Sequence, residues 1–125
     1  MELDKVIKER RSIRKFEKLD VPWDFIVECL DAARYAPSSG NVQNFRFIVV
    51  KEKIKELAAC CNDQNWMLDA PVIIVVCSEL GKIKRMFGVR GEALYAVQNC
   101  ALGMQNLILK AYELGLGSCI VGDFD

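Results

Sequence analysis

Apolar residues recur first at helical spacing, then as short unbroken runs, then again over one long helical stretch, an order that predicts helices and strands within one chain. Leu3, Val6 and Ile7 predict a first helix from about Glu2 to Arg11. Asp20 is placed to cap a second helix with Pro22 in its first turn. Phe25, Ile26, Cys29, Leu30 and Ala33 make its apolar face, and Pro37 stops it. Phe45 to Val50 is aromatic and β-branched and reads as a strand, with a third helix following from about Glu52 to Cys61. Asn62 to Trp66 is a polar connector. Pro71 then introduces Val72 to Cys77, an apolar run without alternation, the pattern of a central strand covered on both faces. Gly81 to Gly91 reads as a short helix and loop whose basic face carries Lys82, Lys84, Arg85 and Arg90. That face is either solvated or in contact with a dinucleotide phosphate. Glu92 to Leu114 predicts one long helix, apolar nearly all round, so that most of its faces must be covered, a second subunit included. Gly115 and Gly117 end it, and Ser118 to Val121 begins another strand.

Composition narrows the function classes. A chain of 125 residues is read as a single domain spanning residues 1–125, small for an enzyme that must enclose a cofactor alone. Its 52% apolar content slightly exceeds what so small a core buries, which favours an oligomer. With a formal net charge of zero there is no overall field to attract nucleic acid or an anionic membrane, so any anion must be bound locally. No apolar run has the length of a membrane span, and the N-terminus alternates charged and apolar residues unlike a signal peptide; the expected location is cytoplasmic. There is no histidine and no C-x-x-C, which argues against zinc and against an imidazole base. Cys29, Cys77, Cys100 and Cys119 lie in apolar stretches as reduced, small hydrophobes. The vicinal Cys60-Cys61 pair at a helix end is open to packing, redox or metal roles.

Two segments carry the chemistry. Arg10-Arg11-Ser12-Ile13-Arg14 offers three guanidinium forks and a hydroxyl, a set that suits phosphate through parallel charge-assisted bonds. Positions 10 and 14 align on a helix while 11 is rotated by about 100°, so the helix must end near Arg11 for the three to gather. The same residues would also serve as a solvated basic helix terminus. Pro37-Ser38-Ser39-Gly40-Asn41-Val42-Gln43-Asn44 combines a turn with exposed backbone N–H groups and two carboxamides. Carboxamides match the alternating donors and acceptors along the edge of a flat heterocycle, although Ser and Asn also act as simple turn formers. Occurring in order and one helix apart, the pair points to a nucleotide-type cofactor site.

The R-R-S-x-R box followed by P-S-x-x-N-x-Q resembles the nitroreductase family. Further similarity runs through Met67-Leu68-Asp69-Ala70-Pro71, through Asn99, Gln105 and Asn106 in the long helix, and through Leu114-Gly115-Leu116-Gly117-Ser118. The resemblance implies a three-layer α+β fold with a central, mainly antiparallel sheet flanked by helices, and a homodimer formed on the long helix. It also implies FMN in sites shared between subunits and NAD(P)H as electron donor. Hydride would pass by ping-pong exchange through flavin N5 to a nitroaromatic, quinone or similar small electron-poor acceptor, the cofactor doing the chemistry without a catalytic side chain. By matching positions, Arg10, Arg11 and Ser12 would hold the phosphate and ribityl end, and Arg14 would sit near N1 and C2=O. Pro37, Ser38, Ser39 and Asn41 would cover the ring from the partner chain, with Gln43 supporting the loop. Ile120, Val121 and Gly122 would bring backbone N–H groups near N5. Two departures stand out. Asn44-Phe45 replaces a frequent Pro-Trp, a change expected to alter only the loop's exit, and the chain stops at Asp125, where relatives continue into a tail that adds basic residues. An incomplete site would make the protein a flavin binder or sensor without turnover; loss of the cofactor altogether would leave a structural homodimer.

Overall fold

The computed structural model describes all residues from Met1 to Asp125. Helix α1 (Leu3–Glu9) buries Val6 and stops two residues before the expected end, so Arg10 leaves it in an extended conformation. Helix α2 (Trp23–Arg34) buries Ile26, Cys29 and Ala33, three of the five expected core positions. Pro22, not Asp20, occupies its N-cap, and no side chain caps it. Asp20 turns away to accept a bond from Lys51 Nζ at 2.9 Å, an ion pair that holds the Asp20 carboxyl below the usual range. The helix begins two residues too late for Asp20 to cap it, and the carboxylate pairs with Lys51 instead.

Strand β1 (Phe45–Val50) has the residues expected of it, α3 (Ile54–Cys60) is slightly shorter than expected, and β2 (Ile73–Ser78) begins one residue later. The strands pair antiparallel from Phe45 opposite Ser78 to Val50 opposite Ile73. The sheet has these two strands alone, so β2 is paired along one edge, and its residues are half-buried instead of fully covered. Ser118 to Val121 forms no strand beyond a single parallel bridge between Ser118 and Ser12. A ladder needs a second extended segment alongside, and here the chain leaves to dock elsewhere. Asn62 Nδ2 donates to Asp123 Oδ1 at 2.6 Å, Gln64 Nε2 to the Asp123 carbonyl at 2.9 Å, and the Asp125 N–H to the Cys60 carbonyl at 2.9 Å.

The expected short helix and loop is a helix, α4 (Leu80–Arg90), interrupted at Gly88, whose φ of 62° and ψ of −144° suit glycine alone. A straight helix would separate residues 83 and 91 by about 12 Å. Here a Cβ on Gly91 would lie 2.6 Å from the Ile83 carbonyl oxygen, so the chain doubles back. The first turn of the expected long helix, Gly91–Tyr95, is π-helical, and the regular α5 runs from Ala96 to Glu113. Helix α5 packs along α2 and behind the sheet. Gly103 permits that approach, since a Cβ there would already be 3.5 Å from both the Ala33 carbonyl and the Phe45 ring. Two small buried clusters complete the core. One joins Val42, Ile83 and Ala96 with Phe87 and Tyr95; the other joins Ala58, Cys61 and Met67 with Trp66, Ile73 and Val121. Only 19 of 125 residues are buried, which leaves much of the apolar excess on the surface. No helix is long and apolar enough to cross a membrane.

Candidate functional site

The arginine box follows α1 along the end of α5. The Ile13 N–H donates to the Ser118 carbonyl at 2.9 Å, Ser12 bridges Ser118, and a Cβ on Gly117 would sit 3.2 Å from the Ile13 side chain. A residue larger than glycine at 117 would push the two extended segments apart. Tyr112 in the last turn of α5 donates to Glu9 Oε2 at 3.2 Å; partial burial and then the Glu9 carboxylate push its phenol up. Within the box, Arg11 bends back to donate to the Lys8 and Arg10 carbonyls at 2.7 and 2.9 Å, completing the open end of α1. Arg10 and Arg14 form no ion pair. Arg14 lies over the Trp66 ring at 5.8 Å, and Phe16 meets the same ring at 6.3 Å. In the sequence Trp66 ends a polar connector; the structure shows it in a 3₁₀ turn, Asn65–Asp69, between the box and the Met67 cluster. Val121 packs on that cluster, Ile120 is 47% exposed, and Gly122 has open space where a side chain would be. Arg10, Arg11, Ser12, Arg14 and the segment Ile120, Val121, Gly122 therefore share one region.

The Ser/Asn loop occupies a different one. Ser39–Asn41 forms a 3₁₀ turn in which Gly40 has a φ of 55°. Asn41 and Gln43 also have positive φ, at 54° and 48°, and both are exposed. Pro37, Ser38 and Ser39 line an open groove of about 620 Å³ together with Gln98, Asn99, Ala101 and Leu102 of α5. Beneath the loop, Asn99 Oδ1 accepts from the Ser39 N–H at 3.2 Å and from its hydroxyl at 3.3 Å, while Asn99 Nδ2 donates to Asn44 Oδ1 at 2.8 Å. Asn44, expected to alter only the loop's exit, is 2% exposed and central to this network. Its signal was an amide placed directly before an apolar strand.

Within one chain the two regions do not meet. The loop is bonded at Asn99 and the box lies beyond Glu113, so about 20 Å of α5 separates their anchor points. On its exposed side, near the loop, α5 presents Val97, 66% exposed, and Leu102, 44% exposed, with Ala101 and the carboxamides of Gln98 and Gln105 also exposed.

The profile of the nitroreductase family matches residues 7–66 and 55–125, nearly the whole chain. The chain belongs to the nitroreductase family. Among nitroreductase relatives, a Methanothermobacter thermautotrophicus protein whose name joins NADH dehydrogenase with NAD(P)H nitroreductase is 36% identical over 98% of this chain and 61% of its own. A Bacillus subtilis protein named FMN reductase, NAD(P)H, is 26% identical over 92% of this chain and 46% of its own. The chain thus spans less than two thirds of these curated relatives. A Desulfovibrio desulfuricans nitroreductase crystallised in complex with FMN superposes with a TM-score of 0.86 and 27% identity, over 97% of this chain and 68% of that one. The nitroreductase fold expected from the sequence is therefore confirmed.

Proposed function

We propose that this nitroreductase-family chain works as a homodimer with shared FMN sites. In this reading it is an NAD(P)H oxidoreductase acting on nitroaromatic, quinone or similar electron-poor acceptors. The observation that carries the reading is the separation of the two chemical segments by about 20 Å of α5, whose exposed side sets Val97, Ala101 and Leu102 beside Gln98 and Gln105. A second copy laid against that side in the opposite direction brings one copy's arginine box to the other's Ser/Asn loop. Each site is complete only in the pair.

The residues present fit FMN. Arg10 and Arg14 are cations without acidic partners, as a phosphate and an electron-rich ring edge require. The left-handed loop exposes the amides of Asn41 and Gln43, able to donate and accept along a heterocycle's rim. Bound FMN would supply ping-pong hydride exchange, from NAD(P)H through N5 to the acceptor. The protein's own part is to neutralise the phosphate, hold a cation beside the ring with Arg14, and exclude water with the partner's loop. The six free thiols accord with a reducing compartment such as the cytoplasm.

The test is an absorbance spectrum after adding FMN and desalting, followed by anaerobic NADH or NADPH. Retained flavin bands that bleach on adding the nucleotide support the reading. Bands that persist unbleached identify a flavin binder without turnover, and a colourless protein overturns the reading. Arg10→Ala combined with Arg14→Ala should lose the flavin and keep the wild-type elution volume.

A further inference from the structure

Three residues among four, Gly40, Asn41 and Gln43, hold left-handed backbone conformations, and two of them are not glycine. A side-chain-bearing residue is strained in that region and stays there only when its surroundings over-determine it. Here the surroundings are a continuous polar chain. Ser38 Oγ accepts from the Gln43 N–H at 2.9 Å, closing the loop on itself. Ser39 donates twice to Asn99 Oδ1, Asn99 donates to Asn44, and Asn44 Nδ2 donates to Ser78 Oγ at 2.7 Å and to the Ala96 carbonyl at 3.4 Å. The loop is thereby tied to α5, to the residue preceding β1 and to the end of β2. Met86 and Phe87 grip it from the other side, since a Cβ on Gly40 would lie 2.9 and 2.8 Å from their tips.

We propose that Asn44 and Asn99 are a pair of positioning residues that hold the Pro37–Gln43 loop in its ligand-presenting form. This rests on the reading that the loop faces a flat heterocyclic cofactor. Both side chains belong to residues only 2% exposed, so they act through Ser39 and its neighbours instead of touching the ligand. The chemistry selects carboxamides at both places. Asn99 accepts two bonds while donating one, and Asn44 accepts one while donating two, a combination on one planar group that neither a carboxylate nor an apolar side chain provides. No buried side-chain nitrogen or oxygen in the molecule lacks a partner, so the network is closed, and removing one member orphans another.

The test replaces both members at once, Asn44→Leu with Asn99→Leu, which leaves no orphaned amide between them; Asn99→Asp, which keeps the acceptor for Ser39 but removes the donor to Asn44, serves if the double variant does not fold. Amide hydrogen exchange is followed at Ser39 to Gln43 and across β1 and β2, and FMN affinity is titrated in parallel. The expected result is exchange accelerated at least tenfold in the loop alone, with FMN affinity reduced by about tenfold or more, the scale on which small misplacements act. Unchanged loop exchange, exchange raised equally through the strands, or a released loop that binds FMN as before would each overturn the proposal. If the wild type takes up no FMN, the cofactor reading fails, while loop exchange still decides whether the pair positions the loop.

Discussion

The Arg14 guanidinium lies 5.8 Å from the centroid of the Trp66 ring, and Trp66 is itself seated on the cluster of Ala58, Cys61 and Met67. A long cationic side chain is thus given a preferred resting place by the core beneath it. An exposed cation–π contact contributes about 0.5–1 kcal/mol. Trp66→Leu should therefore weaken FMN binding by about two- to fivefold, with Trp66→Phe retaining most of the affinity, measured by titrating flavin fluorescence. Equal affinity in the leucine variant would show that Arg14 needs no aromatic support.

A charge on the exposed side of α5 separates assembly from folding. Leu102→Glu lies in the groove beside Ser38 and Ser39 and should leave the fold intact. In sedimentation it should run as a monomer and lose FMN at micromolar protein. A variant that is still dimeric and yellow would sink the shared-site arrangement.

Helical periodicity and the β-branched run were enough to recover β1, most of α2 and α5 apart from its π-helical first turn, because each signal is local. The two candidate chemical segments are short and local in the same way, and the structure places them in two separate regions of the chain. The Asn44–Asn99 bond joins residues 55 positions apart and leaves no period in the sequence. Trp66 followed four polar residues, so its seat beside Arg14 could not be told from a loop position. Gly88 sits within a helical pattern, and only its backbone angles reveal the reversal. Asp20 had the right chemistry for a cap, but the helix begins only at Trp23, and Lys51, distant in sequence, pairs with the carboxylate.

Gly91→Ala tests that reversal. The added methyl would meet the Ile83 carbonyl at 2.6 Å and the Phe87 Cβ at 2.8 Å. Backbone cannot move aside as a flexible tip can, so a loss of about 1–3 kcal/mol is expected in urea denaturation. Gly122→Ala, with nothing within 4 Å, should stay within about 0.5 kcal/mol of wild type.

Cys29 predicts an alkaline limit. Burial, and secondarily the Glu28 carboxylate, push its thiol from 9.0 up to about 11. The unfolded chain loses this proton first, so the folded state binds more protons between these values and stability falls as pH rises from about 9 to 11. Below pH 9 the contribution is fully present. Cys29→Ala should flatten this part of the profile relative to wild type in denaturation series across that range, and superimposable slopes would refute the assignment.

The two-stranded sheet bears on how the protein must be handled. Each strand leaves one row of peptide groups without a strand partner, and both strands are rich in Val, Ile and Phe with Arg46 as their one charge. Such ribbons template intermolecular cross-β pairing when released from their helices. Refolding should therefore lose material to aggregation as concentration rises, and dilute renaturation should recover the most native protein.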